Sequence, residues 1–115
     1  MNCFHCLLFA FHFIMLLYNV TIKIDWSIHD EWLAWMQDIH IPEVLGTGCF
    51  SSHKLLRLLQ VDEEDGPTYA VQYFAESKAF YNRYATQYAA THNLEATGKW
   101  GDKFISFNTL MQVVN

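Results

Sequence analysis

The sequence is poor in positive charge and in cysteine. Its 115 residues include 7 Lys and Arg against 12 Asp and Glu, which gives a formal net charge of -5. The basic residues are scattered, and binding to phosphate groups requires a basic surface, so nucleic acid is excluded as the expected partner. Three cysteines form no disulfide framework of the secreted type, which favours a reducing, cytoplasmic setting. At this length we expect one domain with a single hydrophobic core.

Residues 1–14 contain no Asp, Glu, Lys or Arg. No basic residue precedes the apolar run and no small-residue cleavage site follows it, which argues against a signal peptide. The run is also shorter than the roughly 18 apolar residues of a membrane span, so no membrane segment is predicted. We interpret residues 1–14 as a non-native or disordered extension before a start at Met15, and residues 15–115 as the domain. Cys3 and Cys6 have no second pair and are assigned no role.

The sequence also lacks the motifs of several common sites. The acidic residues 62–65 do not have the spacing of a calcium loop, and no glycine-rich phosphate loop or nucleophile elbow occurs. His29 and His40 lie eleven residues apart, roughly 16 Å along a helix axis, so they cannot share a metal ion. No metal site and no cofactor is therefore predicted.

Hydrophobic patterns of period two and of helical period follow one another along the chain. The first helix is predicted to begin at Ser27 and to end near His40, because Pro42 disfavours helical geometry at the residue before it. One further turn is predicted from Pro42 to Leu45, closed by Gly46. The second helix is predicted to begin after the cap Ser77 and to stop at Gly98. The predicted elements are a strand at residues 16–25, a helix at 27–40, strands at 49–61 and 68–74, a helix at 78–97 and a strand at 103–114.

The order β-α-β-β-α-β predicts a ferredoxin-like α+β fold, in which one four-stranded antiparallel sheet carries both helices on one face. The opposite face must then meet solvent, a ligand or a second subunit. Its expected residues are mostly neutral and polar, which favours a semi-polar pocket or a wet homodimer interface. The sequence does not decide which side of the second strand faces the helices, because both its even-numbered and its odd-numbered residues include leucines. The residues expected on the open face are Leu17, Asn19, Thr21, Lys23, Gln72, Ser106, Asn108 and Gln112.

Four stretches of the chain are distinctive: LLYNVTIKID, HDEWLAWMQDIHIPEVLGTGCF, LLRLLQVDEEDGPTYAVQYF and FISFNTLMQVV. Together they resemble a bacterial family of unknown function, DUF4286, and the resemblance covers residues 15–115. It implies the dimeric α/β barrel superfamily, in which two ferredoxin-like sheets pair around a central cavity. That superfamily includes cofactor-independent monooxygenases, dye-decolourising peroxidases, lactone isomerases and ligand-sensing domains. His40-Ile41-Pro42 and Gly48-Cys49-Phe50 also resemble motifs of its EthD-type branch.

His40 is the first candidate for a functional side chain. It falls in the apolar arc of the first helix, next to the turn at Pro42. One interpretation places it at the mouth of a cavity on the open sheet face, where it accepts a proton or donates a hydrogen bond to a ligand. The alternative is a histidine at the edge of the core that donates to a backbone carbonyl.

Arg57 lies among four leucines, where a charge needs a partner or water. Together with His53 it is interpreted as an anion or oxyanion contact in the same cavity. The alternative is an ion pair with Glu43 or with a carboxylate of the partner subunit. Tyr73 is predicted to lend its hydroxyl to the cavity, although buried structural tyrosines are common. The predicted ligand-binding set is Asn19, Thr21, His40, His53, Arg57 and Gln72, and the predicted catalytic set is His40, Arg57 and Tyr73.

Three functions are compatible with these residues. The first is a homodimeric binding module that holds a small apolar or aromatic metabolite. The second is a cofactor-independent enzyme of the monooxygenase or isomerase kind, with His40 as general base and Arg57 or Tyr73 stabilising the developing anion. The third is a purely structural dimer whose cavity is filled by side chains. A cavity of roughly 300 Å³ or more, lined by His40 and Arg57, is the expected signature of the first two.

Overall fold

The core of the protein is a four-stranded antiparallel sheet in the order β2-β3-β1-β4. A computed structural model describes residues 14–115, so the predictions made for residues 1–13 lie outside the described part. The predicted β-α-β-β-α-β order and the ferredoxin-like fold class are confirmed. The strands are β1 Leu16–Ile24, β2 Ser52–Arg57, β3 Thr68–Ala75 and β4 Phe104–Gln112.

The first helical region is continuous where the sequence pattern predicts a break near His40, and it is less regular than predicted. It opens with a 3-10 turn whose cap is Asp25 rather than Ser27, since the Asp25 carboxylate accepts a hydrogen bond from the Ser27 N–H at 2.8 Å. The chain then stays helical past Pro42 and ends at Gly46. The segments are the 3-10 turn Trp26–Ile28, helix α1 His29–Trp35, a π-helical turn Met36–His40 and helix α2 Ile41–Gly46.

The prediction that this helix ends near His40 is therefore wrong, whereas the further turn predicted from Pro42 to Leu45 and its end at Gly46 are confirmed. Ile41 keeps helical angles, φ -60° and ψ -46°, and its N–H donates to the carbonyl of Met36, five residues earlier. Proline removes an N–H donor and its ring crowds the carbonyl four residues back, and the wider π-helical turn avoids that register. In a regular α-helix Ile41 would lie about 140° from Met36, whereas here both side chains are at most 3 % exposed.

The second helical region is also divided in two. The predicted cap is confirmed, because the Ser77 hydroxyl accepts a hydrogen bond from the Phe80 N–H at 3.2 Å. Tyr88 leaves helical geometry, with φ -126°, and separates helix α3 Lys78–Gln87 from helix α4 Ala89–Trp100. The region ends at Gly101, which has φ +60°, and not at Gly98 as predicted. Gly101 suits this position because glycine adopts positive φ without a steric penalty.

The register of β1 settles which residues face the helices. Tyr18 and Ile22 are buried on the helix side, as predicted, and directly opposite residues of neighbouring strands share a face. Ile22 pairs with Ser106 of β4, so Ser106 also lies on the helix side. The predicted facing of β4 is thus wrong: Ser106, Asn108 and Gln112 face the helices, whereas Ile105, Phe107, Thr109 and Met111 face the open side.

The ambiguous facing of β2 is settled in the same way. Leu55 pairs with Val71 and faces the helices, while Leu56 pairs with Ala70 and faces the open side. The ordered strand is also shorter than the predicted residues 49–61. No helix within residues 14–115 is long and apolar enough to cross a membrane.

The connection between β2 and β3 is anchored to the end of β1. The Ile24 N–H donates to the carbonyl of Pro67 at 3.0 Å, and the Trp26 N–H donates to the carbonyl of Asp65 at 3.2 Å. Gly66 lies between these two contacts, and a Cβ atom there would overlap the carbonyl of Ile24. Only glycine therefore fits this close approach of two backbones.

Candidate functional site

A cavity of about 200 Å³ lies between the sheet and the helices. Its floor is formed by β1 and β3, its walls by α1, the π-helical turn and the two later helices, and it reaches solvent between α4 and β4. The strand side of this opening is uncovered, because Ser106, Asn108 and Leu110 face the helices and are still exposed. The lining side chains include Tyr18, Val20, Ile22, Trp32, Trp35, Met36, His40, Val71, Tyr73, Tyr84, His92, Asn93, Ala96, Thr97, Trp100, Phe104, Ser106 and Asn108.

Three buried polar atoms, each from a residue that lines this cavity, have no hydrogen-bond partner. They are Nδ1 of His40, the hydroxyl of Tyr73 and Nε1 of Trp100, and within residues 14–115 they are all the buried side-chain nitrogens and oxygens in that condition. A buried polar group without a partner costs about 1–3 kcal/mol. Because all three belong to residues that line one cavity, that cavity is where a partner would satisfy them.

His40 reaches the cavity from the π-helical turn. Its ring stacks on Trp35, with centroids 4.7 Å apart and an interplanar angle of 25°. Burial, with a smaller contribution from His92, lowers the pKa of His40 from 6.5 to about 4, although Glu95 acts in the opposite direction. The imidazole is therefore neutral at pH 7 and can accept or donate a hydrogen bond.

A second histidine pairs with a tyrosine on the same wall. The hydroxyl of Tyr84 and Nδ1 of His92 are 2.7 Å apart, and the His92 ring lies edge-on to His40 with centroids 5.8 Å apart. Burial raises the pKa of Tyr73 and of Tyr84 above the ordinary value and that of Tyr18 to about 12. These phenols therefore stay neutral at pH 7.

The cavity has no ionised wall. Among its lining residues there is no Asp, Glu, Lys or Arg. Transferring an unpaired ion out of water into such a site is strongly unfavourable. Within the described residues no cluster of three or more His, Cys, Asp or Glu is arranged to hold a metal ion. The geometry thus suits an uncharged organic molecule with oxygen acceptors.

Three of the predicted ligand-binding residues lie on the open sheet face, as expected, and thus across the sheet from the cavity. The Gln72 amide donates to the Asn19 side-chain oxygen at 3.3 Å, and the Asn19 amide donates to the Thr21 hydroxyl at 3.0 Å. Asn19 is only 8 % exposed although it lies on this face. The structure therefore separates Asn19, Thr21 and Gln72 from His40 and Tyr73.

Arg57 and His53 do not join His40 either. The Arg57 guanidinium donates twice to the Glu63 carboxylate, at 2.9 and 3.3 Å, so its partner is neither Glu43 nor a partner subunit's acid as the alternatives predicted. His53 faces the helix side opposite Tyr73 but is exposed. Neither residue lines the cavity. Within residues 14–115, His40 and Arg57 therefore do not line one common cavity, contrary to the expectation. A cavity of roughly 300 Å³ or more between two open sheet faces stays a prediction, because it would form only between two subunits.

Sequence reasoning missed Trp100, His92 and Tyr84 as site residues. Tyr84, Tyr88 and His92 recur at intervals of four, which is the spacing of one helix face and the available signal. Trp100 carried no such signal, because its position depends on where α4 ends. The unpaired indole N–H becomes visible only when the packing around it is known.

The sequence of residues 15–114 matches one protein-family model, that of the Domain of unknown function (DUF4286). None of the curated protein sequences compared with the chain is significantly similar to it.

Solved structures with the same fold include a dimeric ferredoxin-like protein from an uncultured marine organism. It has a TM-score of 0.65 at 10 % identity, over 89 % of this chain and 97 % of that one. A variant of SnoaB, a cofactor-independent oxygenase from Streptomyces nogalater, has a TM-score of 0.61 at 11 % identity, over 88 % and 95 %. An ethyl tert-butyl ether degradation (EthD) family protein from Bacillus halodurans has a TM-score of 0.59 at 11 % identity, over 87 % and 98 %.

At these sequence identities, the similarity to the solved structures shows a shared fold and says nothing about a shared reaction. The match to the family model, in contrast, extends over nearly all of the residues that form the sheet and the helices. The chain belongs to the DUF4286 family and has a ferredoxin-like α+β fold.

Proposed function

We propose that the protein binds a small, uncharged aromatic molecule in the cavity between sheet and helices. The observation that carries this proposal is that three residues with an unpaired buried polar atom, His40, Tyr73 and Trp100, all line one aromatic cavity. The indole of Trp100 only donates, while the phenol of Tyr73 and the imidazole of His40 donate or accept. A ligand with a hydroxyl or carbonyl oxygen satisfies all three.

The size of the cavity favours a single ring. An apolar cavity of about 150 Å³ is large enough for benzene, and this one measures about 200 Å³. One or two substituents therefore fit beside the ring. Trp35, which stacks on His40, and Trp32 supply aromatic faces on the same wall.

The open sheet face supports a homodimer. Ile105 and Phe107 are 71 % and 62 % exposed on this face, and Phe107 lies opposite Thr21, whose hydroxyl accepts a hydrogen bond from Asn19. Apolar side chains around a satisfied polar centre suit a wet protein interface. One solved structure of this fold is itself a dimeric ferredoxin-like protein. Size-exclusion chromatography at high micromolar concentration tests the proposal, and a monomer there contradicts it.

A second candidate is a cofactor-independent oxygenase or isomerase in which His40 takes a proton and Tyr73 stabilises the developing anion. Two observations favour it: the strongly lowered pKa of His40 inside the cavity, and the shared fold with the oxygenase SnoaB. A general base works best when its pKa lies near the working pH. A pKa of about 4 makes His40 a weak base at pH 7, so binding is the first candidate.

Thermal unfolding with phenol and hydroquinone tests the binding proposal. At ten times its Kd a ligand stabilises the native state by about 1.4 kcal/mol, a rise in Tm of roughly 5 °C for a domain of this size. Tyr73→Phe deletes one cavity hydroxyl and should lower the affinity for hydroquinone about fivefold. Tyr81→Phe is the matched control, because Tyr81 does not line the cavity.

Two results contradict the proposal: an unchanged Tm at saturating probe, or equal affinities in the wild type, Tyr73→Phe and Tyr81→Phe. An oxygen electrode tests the oxygenase form of the second candidate, which predicts protein-dependent consumption of O2 with hydroquinone. Binding without O2 consumption supports the first candidate.

A further inference from the structure

The opening of the cavity is lined by two facing rows of neutral polar side chains. On α4, Asn93 and Thr97 are four residues apart and therefore lie on one helix face. On β4, Ser106 and Asn108 are two residues apart and project from the same side of the strand, towards the helices. All four line the cavity and all four are exposed, so they mark the place where it meets solvent.

These four side chains share one chemistry. Two are carboxamides and two are hydroxyls, and each of them both donates and accepts hydrogen bonds. None of the four makes a side-chain hydrogen bond to another of the described residues, in contrast to Asn19 and Gln72 on the open face. Ala96, between Asn93 and Thr97, leaves room beside this row.

The two charged residues of α4 near the opening, Glu95 and Lys99, do not line the cavity. The ammonium of Lys99 lies over the Trp100 ring, 5.1 Å from its centroid. A ligand that leaves the cavity therefore first meets neutral donors and acceptors.

We infer that the ligand has two parts: a single aromatic ring held in the cavity and a neutral polyhydroxylated arm, of the kind found in a glycoside, held between α4 and β4. This inference rests on the proposed function, since it needs the ring to occupy the cavity. Hydroxyl groups of the arm act as donors and acceptors at once, which matches Asn93, Thr97, Ser106 and Asn108. A carboxylate or ammonium arm would find no opposite charge among the lining residues.

Isothermal titration calorimetry with hydroquinone and with its monoglucoside, 4-hydroxyphenyl β-D-glucopyranoside, tests the inference. The two probes carry the same ring, so the ratio of their Kd values reports the arm alone. Two net hydrogen bonds correspond to a ratio of roughly tenfold or more in favour of the glucoside. The double variant Asn93→Ala and Asn108→Ala should bring this ratio close to one, and Asn82→Ala, an exposed asparagine of α3 outside the cavity, should leave it unchanged.

The outcomes distinguish the inference from the proposal beneath it. If hydroquinone binds and the glucoside binds no tighter, the two-part ligand is overturned and the proposed function stands. A ratio that survives in the double variant also overturns it, because the arm then lies elsewhere. If neither probe binds, the proposed function fails first. Circular dichroism of the double variant confirms that it is folded, and two exposed substitutions are not expected to unfold it.

Discussion

The burial of His40 predicts a specific loss of stability at acidic pH. Its pKa falls from 6.5 to about 4 in the folded protein, chiefly because of burial. Between these two values the unfolded chain binds a proton that the folded protein does not, so stability decreases as the pH falls. One unit of pKa difference corresponds to about 1.4 kcal/mol. The expected loss between pH 6.5 and pH 4 is therefore about 3 kcal/mol, a large part of the 5–15 kcal/mol that stabilises a typical domain.

The substitution His40→Phe isolates this effect. Phenylalanine keeps an aromatic ring against Trp35 and removes both the ionisable group and the unpaired Nδ1. At pH 7 the variant should be at least as stable as the wild type, because a buried polar atom without a partner is lost. As the pH falls to 4 the variant should become more stable than the wild type by about 3 kcal/mol, since only the wild type loses the contribution of a neutral His40.

Urea unfolding followed by far-UV circular dichroism, at pH 7.0, 6.0, 5.0 and 4.0, measures this difference. Carboxyl groups titrate in both proteins, so their effect cancels when the two free energies of unfolding are subtracted. His53→Gln is the control, because His53 is exposed and lies outside the cavity. Parallel pH profiles for the wild type and His40→Phe would refute the reasoning, since His40 would then titrate equally in the folded and unfolded states.

Two further predictions concern the backbone and the open face. Gly66→Ala should prevent stable folding, because its Cβ would overlap the Ile24 carbonyl, whereas Gly98→Ala, inside α4 with open space around it, should stabilise by about 0.5–1 kcal/mol. Soluble yield and urea midpoints measure both changes, and equal effects would contradict the close approach at Gly66. Phe107→Glu should convert the proposed homodimer to a monomer in size-exclusion chromatography, while Leu94→Glu, which is also exposed but lies on α4, should not. A dimer that persists in Phe107→Glu would place the interface elsewhere.

The helix side of β1 was predictable because burial there is one-sided. Tyr18 and Ile22 alternate with the more polar Asn19 and Lys23, and a single buried face gives this period of two. The edge strand β4 carries no such signal. From Ile105 onwards it is exposed on both faces, so apolar and polar residues alternate without marking the core. Its facing follows only from the register with β1.

The residues of the candidate site were only partly predictable from the sequence. His40 and Tyr73 were predicted to share a cavity on the open sheet face, since each is a polar group within an apolar pattern, but the cavity that both of them line lies on the helix side of the sheet. Arg57 also matched that description, but six residues of sequence separate it from Glu63, which neutralises it at the edge of the sheet. Pairing of this kind depends on the path of a loop, and the sequence pattern does not predict that path.

The helix continues through Pro42, although the rule that proline ends a helix predicts a stop near His40. Proline inside a helix costs about 3 kcal/mol or more, which is why the sequence predicts an end at His40. Ile41 and Val44 are 3 % and 1 % exposed, and burying each such side chain contributes about 1.5–3 kcal/mol. Together these two side chains offset the local cost, provided that the helix continues and keeps both of them on the core side. The π-helical turn meets this condition and leaves His40 beside the cavity, so the irregularity that the sequence pattern missed is the one that places the candidate ligand-binding group.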